Sequence, residues 1–182
     1  MGEVKQALGL IEYKSIARGL AAADAMLKAG HVELIQATVL CPGKFIALVA
    51  GDVGAVQAAV ERGFNFDPTF AVDRFVLPNV HPAIFPALTA TTPVEPRGAF
   101  GVVETIDAAS AVVAGDTAAK AGNVELLEIR LARGMGGKAF VFLCGELAAV
   151  EAAVRSAENR LAEEGVLVAT AVIASPHPDL TF

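Results

Sequence analysis

The residue with the most distinctive chemistry is Cys41, in Leu40-Cys41-Pro42-Gly43-Lys44-Phe45. Pro and Gly mark a tight turn. A thiolate is both nucleophile and metal ligand, and a cation such as Lys44 nearby favours that form. One thiolate cannot hold an iron–sulfur cluster, which takes several cysteine ligands. On the residues alone Cys41 is an ordinary free thiol. Cys144 ends the apolar run Phe140-Val141-Phe142-Leu143-Cys144 and reads as a small buried hydrophobe.

Other candidates carry weaker signals. Ala132-Arg133-Gly134-Met135-Gly136-Gly137-Lys138 is rich in glycine. A lone glycine-rich loop is a poor phosphate signal, and a strand-to-strand turn explains it as well. His81 and His177 are each followed by proline and stand in no ligand cluster, so a turn or an edge contact fits them better than a metal. Lys28 and Lys120 fall near helix ends, where a solvated lysine complements the C-terminal dipole. Glu12 and Glu104 recur by repetition and are not read as an acid–base pair. H-E-x-x-H, C-x-x-C and G-x-x-x-x-G-K-[ST] are all absent, and no catalytic constellation is complete.

Bulk properties narrow the class. The net charge is −6 with 14 scattered basic residues, which argues against a nucleic-acid partner. Hydrophobic residues make up 54% of the chain, above the usual level of about 45–50%. The longest uncharged run, Phe75 to Val94, holds Pro78, Pro82, Pro86 and Pro93, too many breakers for a spanning helix. The opening MGEVKQALG lacks a signal-peptide layout. Two cysteines are too few for a disulfide scaffold. The expectation is a soluble, cytoplasmic protein without a membrane partner, whose surplus apolar surface serves subunit contacts.

These residues sit in a duplicated frame. Ala7-Leu8-Gly9-Leu10-Ile11-Glu12 returns as Ala99-Phe100-Gly101-Val102-Val103-Glu104. Asp24-Ala25-Met26-Leu27-Lys28-Ala29-Gly30 returns as Asp116-Thr117-Ala118-Ala119-Lys120-Ala121-Gly122. Gly43-Lys44 returns as Gly137-Lys138 after two inserted residues, and the segment from Gly51 to Val60 returns from Gly145 to Val154. Each copy closes on His-Pro. The order is kept throughout, as a tandem duplication requires. Its boundaries are residues 1–90 for the first repeat, 91–98 for a Thr/Pro/Gly-rich linker and 99–182 for the second.

Each repeat reads strand, helix, strand, strand, helix, strand. Ser15 and Asp107 can cap the first helices. In the first copy, Ile16, Leu20, Ala23 and Leu27 form an apolar face at helical spacing. Val32–Leu40 and Lys44–Ala50 pair across the Pro42-Gly43 turn. The second helices carry Val53, Val56 and Val60, and Leu147, Val150, Val154 and Leu161. Arg74–Leu77 and Val166–Ala174 are the final strands. The fold class is α+β: two ferredoxin-like repeats, each an antiparallel sheet with helices.

At these residues the chain resembles bacterial microcompartment shell proteins. Gly9-Leu10-Ile11-Glu12, Ala23-Asp24-Ala25-Met26-Leu27-Lys28-Ala29, Cys41-Pro42-Gly43-Lys44-Phe45 and Gly51-Asp52-Val53-Gly54-Ala55-Val56 carry the likeness, which covers nearly all of both halves. It is nearest to the tandem, trimer-forming shell proteins of propanediol-utilisation compartments. The resemblance implies a structural tile rather than an enzyme: a homotrimer of six lobes in the compartment shell. Pro42, Gly43 and Lys44 with Gly134, Met135 and Gly136 then rim an axial opening. Lys28, Lys120, His81 and His177 become tile-edge contacts with other shell proteins. Many members carry an arginine two positions before this histidine, where Asn79 and Ser175 stand here. With three copies of Cys41 at the axis, the resemblance implies one 4Fe–4S cluster per trimer, carrying electrons to or from an encapsulated redox enzyme. Two other readings stay open: a metabolite pore without a cluster, and a duplicated ferredoxin-like enzyme or small-molecule sensor.

Overall fold

The structure, a computed structural model, describes residues 6–93, 95–132 and 134–180. They divide into two compact units, one ending at Val80 and the other starting at His81.

The first unit runs β1 (Ala7–Tyr13), α1 (Ile16–Ala29), β2 (Val32–Leu40), β3 (Lys44–Gly51), α2 (Val53–Phe64) and β4 (Ala71–Pro78). Its sheet has the order β2-β3-β1-β4, with every neighbouring pair antiparallel. β1 is buried along its whole length and β3 nearly so, which is why both read as unbroken apolar runs. Ser15 Oγ accepts from Arg18 N–H at 3.4 Å to start α1. The helices reach the sheet because β1 holds a glycine where they press closest. A Cβ on Gly9 would stand 2.5 Å from Val60 Cγ2 and 2.7 Å from Val56 Cγ1. Ile11, Tyr13, Met26, Phe45, Val49, Val56 and Val60 fill the core between them.

The second unit repeats this plan as β5 (Ala99–Thr105), α4 (Ala108–Ala121), β6 (Val124–Leu131), β7 (Ala139–Gly145), α5 (Leu147–Ala162) and β8 (Leu167–Ile173), in sheet order β6-β7-β5-β8. Asp107 caps α4 through Ser110 N–H at 2.8 Å. Gly101 repeats the role of Gly9, with Val150 Cγ1 and Val154 Cγ2 each 2.9 Å from the place of its Cβ. Even the irregularities recur: the register shifts at Leu34/Gln36 and again at Leu126/Glu128. Among the described residues no helix is long and apolar enough to cross a membrane.

Several expectations need correction. Ile16, Leu20 and Leu27 do not face the core; Gly19, Ala22, Ala23, Ala25 and Met26 do. α1 lies so close to β3 that a Cβ on Gly19 would stand 2.7 Å from the Phe45 ring, so only small residues and one flexible Met fit beneath it. Leu147, expected on the inner face of α5, is exposed at the helix's first position. β4 starts at Ala71 rather than Arg74; it is an edge strand whose exposed Val72, Asp73 and Arg74 hide its start. Residues 84–88 form a further short helix, α3 (Ile84–Leu88), masked in the sequence by its prolines. Residues 81–90, counted by sequence with the first repeat, pack in the second unit, where Ile84, Ala87 and Leu88 are buried.

Candidate functional site

The β2–β3 turn is built by its own residues. Leu40 pairs with Lys44 at the mouth of the turn, and Leu40 is buried beneath it. Gly43 has φ +79°, a left-handed conformation that favours glycine. No atom lies within 4 Å of where its Cβ would stand, so the tip projects into open space. Pro42 and Gly43 are exposed and Cys41 is half-buried. The thiol therefore sits on the shoulder of a projecting turn. Among the described residues no group of three or more His, Cys, Asp or Glu gathers around a common point.

Lys44 does not offer Cys41 an unmatched charge. Its Nζ donates to Oε1 of the buried Glu12 at 2.5 Å. The second unit repeats the pair, with Lys138 Nζ donating to Glu104 Oε1 at 2.9 Å. These glutamates have a role that sequence reading missed. Each is the carboxylate that neutralises the lysine leaving the loop, and the signal was there: both partners recur together.

The matching loop of the second unit is more open. Gly134, Gly136 and Gly137 have φ of +74°, +65° and +98°, and Lys138 N–H donates to Met135 carbonyl at 3.2 Å. Nothing lies within 4 Å of a Cβ built on Gly134 or Gly136. Met135 is half-buried between exposed glycines. Arg133, part of this loop by sequence, lies outside the described residues.

Lys28 and Lys120 are equivalent in sequence but not in surroundings. Lys28 Nζ meets Asp24 Oδ2 at 2.5 Å with both side chains exposed. Lys120 Nζ meets Asp116 Oδ2 at 2.6 Å, and Asp116 is buried, its Oδ1 accepting His81 N–H at 2.7 Å. His81 and His177 each hold a turn, with Nδ1 accepting the N–H of Ala83 at 3.3 Å and of Asp179 at 3.2 Å. His81 is half-buried and His177 exposed. Cys144 is fully buried beside Phe100 and Phe142, whose rings meet edge to face at 5.1 Å. It is the small hydrophobe its strand implied.

A BMC domain model matches residues 7–80 and 99–176. The chain is 41% identical over 177 residues to the bacterial microcompartment shell protein PduT of Citrobacter freundii, covering 97% of this chain and 96% of that one. A microcompartment protein from Desulfitobacterium hafniense DCB, known by its crystal structure, has a TM-score of 0.93 and 49% identity over 96% of this chain and 97% of that chain. A fused permuted hexameric shell protein from the RMM microcompartment has a TM-score of 0.63 and 25% identity, over 87% of this chain and 82% of that chain. α3 falls in the interval between the two matched segments.

Proposed function

The chain belongs to the BMC-domain family of microcompartment shell proteins, and on that premise we propose that it is a shell tile whose three copies close a six-lobed ring around an axial site. Two BMC-domain matches in this chain, with 41% identity over nearly the whole length of a microcompartment shell protein, are the observation that carries this. A duplicated chain closes such a ring by presenting like surfaces to like neighbours. Lys28 and Lys120 then stand at the tile edge toward other shell proteins, while His81 and His177 hold the turns that end each repeat. Sedimentation equilibrium tests the state: a trimer is expected across micromolar concentrations, and a monomer or dimer overturns it.

At the axis, Cys41 from three chains is the ligand set for one 4Fe–4S cluster. The residues fit that group. Cys41 stands on a turn whose tip meets no other part of the chain, so three copies can approach one another. Glu12 holds the Lys44 charge away from the tip. When bound, the cluster supplies one-electron transfer through the shell, with a redox enzyme in the lumen as donor or acceptor. Three thiolates leave one iron without a cysteine ligand, a place for water or a small molecule. Anaerobically prepared protein should be brown with about four irons per trimer. Cys41→Ser should be colourless and still trimeric; Cys144→Ser should keep the colour. Iron-free wild type after anaerobic reconstitution overturns the cluster. The open, side-chain-poor loop from Gly134 to Gly137 favours the second reading, a metabolite pore, in that event.

A further inference from the structure

Two surfaces made equivalent by the duplication differ in one respect: one is covered. In the second unit α3 lies across β6 and α4. Ile84 Cδ1 comes within 3.3 Å of where a Cβ on Gly115 would stand, and His81 N–H bonds Asp116. Val112, Leu126 and Leu131 are there 0%, 1% and 3% exposed. By repeat and by strand register their counterparts in the first unit are Leu20, Leu34 and Val39. These are 59%, 41% and 45% exposed. Leu34 and Val39 sit opposite Val49 and Phe45, which face the helices, so they belong to the same side of the sheet as α1. Ile16 and Leu27 extend the bare patch along that helix.

The chain also carries a second copy of the turn that opens the cover. α3 follows the first repeat's last strand through His81-Pro82; β8 is followed by His177-Pro178. The two turns match bond for bond. Each imidazole Nδ1 accepts the N–H two residues on, and each histidine carbonyl accepts the N–H three residues on, from Ile84 at 3.0 Å and from Leu180 at 2.9 Å. Leu180 therefore holds the place of Ile84, but Ile84 is buried and Leu180 exposed. The acceptor for the histidine N–H is duplicated as well. Asp24 binds Lys28 through Oδ2, as Asp116 binds Lys120. Its Oδ1, the atom that takes His81 N–H in Asp116, has no hydrogen-bond partner among the described residues.

We infer that His177–Leu180 of one copy docks on the α1–β2 surface of a second copy of this chain, with His177 N–H on the second copy's Asp24 Oδ1 and Leu180 against its α1. One tail and one surface are satisfied within the chain, and the remaining tail and surface complete each other between chains. The contact is head-to-tail, and repeating it closes a ring. It rests on the trimer reading and names the segments that make the trimer.

Cysteines placed where the internal contact has its counterparts test the docking. Leu20, the counterpart of Val112, is exposed on the docking surface, and Leu180 corresponds to Ile84. In a Cys41→Ser background, full-length protein carrying Leu20→Cys and Leu180→Cys together should form covalent trimers on non-reducing gels, and neither single variant should. Leu180→Asp, at an exposed position, should keep the wild-type far-ultraviolet circular dichroism while weakening trimer association at least about tenfold, as loss of one buried leucine per contact implies. Wild type that is trimeric while the paired cysteines stay unlinked, link within one chain or stop at covalent dimers overturns the docking and leaves the trimer standing. A monomeric wild type overturns the trimer reading and the docking with it.

Discussion

Glu12 and Lys44 form the contact on which the β2–β3 turn rests. Glu12 is buried on β1 and its charge is matched by one ammonium group. Removing the lysine leaves a carboxylate that burial penalises, whereas the Glu104–Lys138 pair is open to solvent. Lys44→Ala should cost about 2 kcal/mol, within the usual range for orphaning a buried polar group. Lys138→Ala should cost under about 1 kcal/mol. Thermal unfolding at one protein concentration separates them, and equal losses would show that burial of Glu12 does not matter. Tyr13 gives a second residue-level test, because it is the single tyrosine and tryptophan is absent. Its hydroxyl donates to Gly63 carbonyl at 2.6 Å, and burial pushes its pKa above 10.0, with lesser effects from the neighbouring Asp67 and Arg18. The folded protein thus holds this proton longer than the unfolded chain does. The stabilisation is complete below the unfolded value and is lost as pH rises through the raised one. The midpoint of tyrosinate absorbance in the folded protein should lie above 10.0. A titration midpoint at or below the free value, with the fold intact, contradicts this.

At the scale of elements, the close approach of helix to strand sets tolerance. Gly9→Ala places a methyl group against Val56 and Val60, which the buried packing holds in place. The expected loss is about 1–3 kcal/mol, seen as a lower Tm; an unchanged Tm would mean that α2 shifts freely. That packing also explains what the sequence disclosed. β1, β3, β5 and β7 were legible because strands buried along their length are plain apolar runs, and Ser15 and Asp107 marked where the first helices start. The inner face of α1 was not legible. Hydrophobic spacing points to Ile16, Leu20 and Leu27, yet the close approach to Phe45 leaves room only for Gly19, alanines and Met26 beneath the helix. The large apolar residues were left for another surface. α3 was hidden by Pro82 and Pro86. The candidate site was half legible: Cys41 and its turn could be picked out from residue types, while the Glu12–Lys44 and Asp116–His81 bonds join residues far apart in sequence.

For the whole molecule, the proposed assembly makes Lys28 and Lys120 decide whether tiles form sheets. Lys28 and Lys120 recur once per lobe, so a six-lobed tile presents each of them three times. An exposed charged contact contributes under about 1 kcal/mol, but a tile held at every edge sums many such contacts, and avidity makes their combined loss large. Lys28→Ala with Lys120→Ala should abolish flat arrays in electron micrographs while sedimentation still shows trimers. The single variants should differ in a way fixed by their aspartates. In the isolated chain Asp24 is exposed and Asp116 buried. If Asp24 stays in water, Lys28→Ala leaves stability unchanged and Lys120→Ala lowers Tm. If His177–Leu180 of a neighbouring copy covers Asp24 as α3 covers Asp116, the two lysines become equivalent in the trimer. Both single variants then lower its Tm by similar amounts, and the docking contact predicts this second outcome. Arrays that persist in the double variant would remove both lysines from the edge.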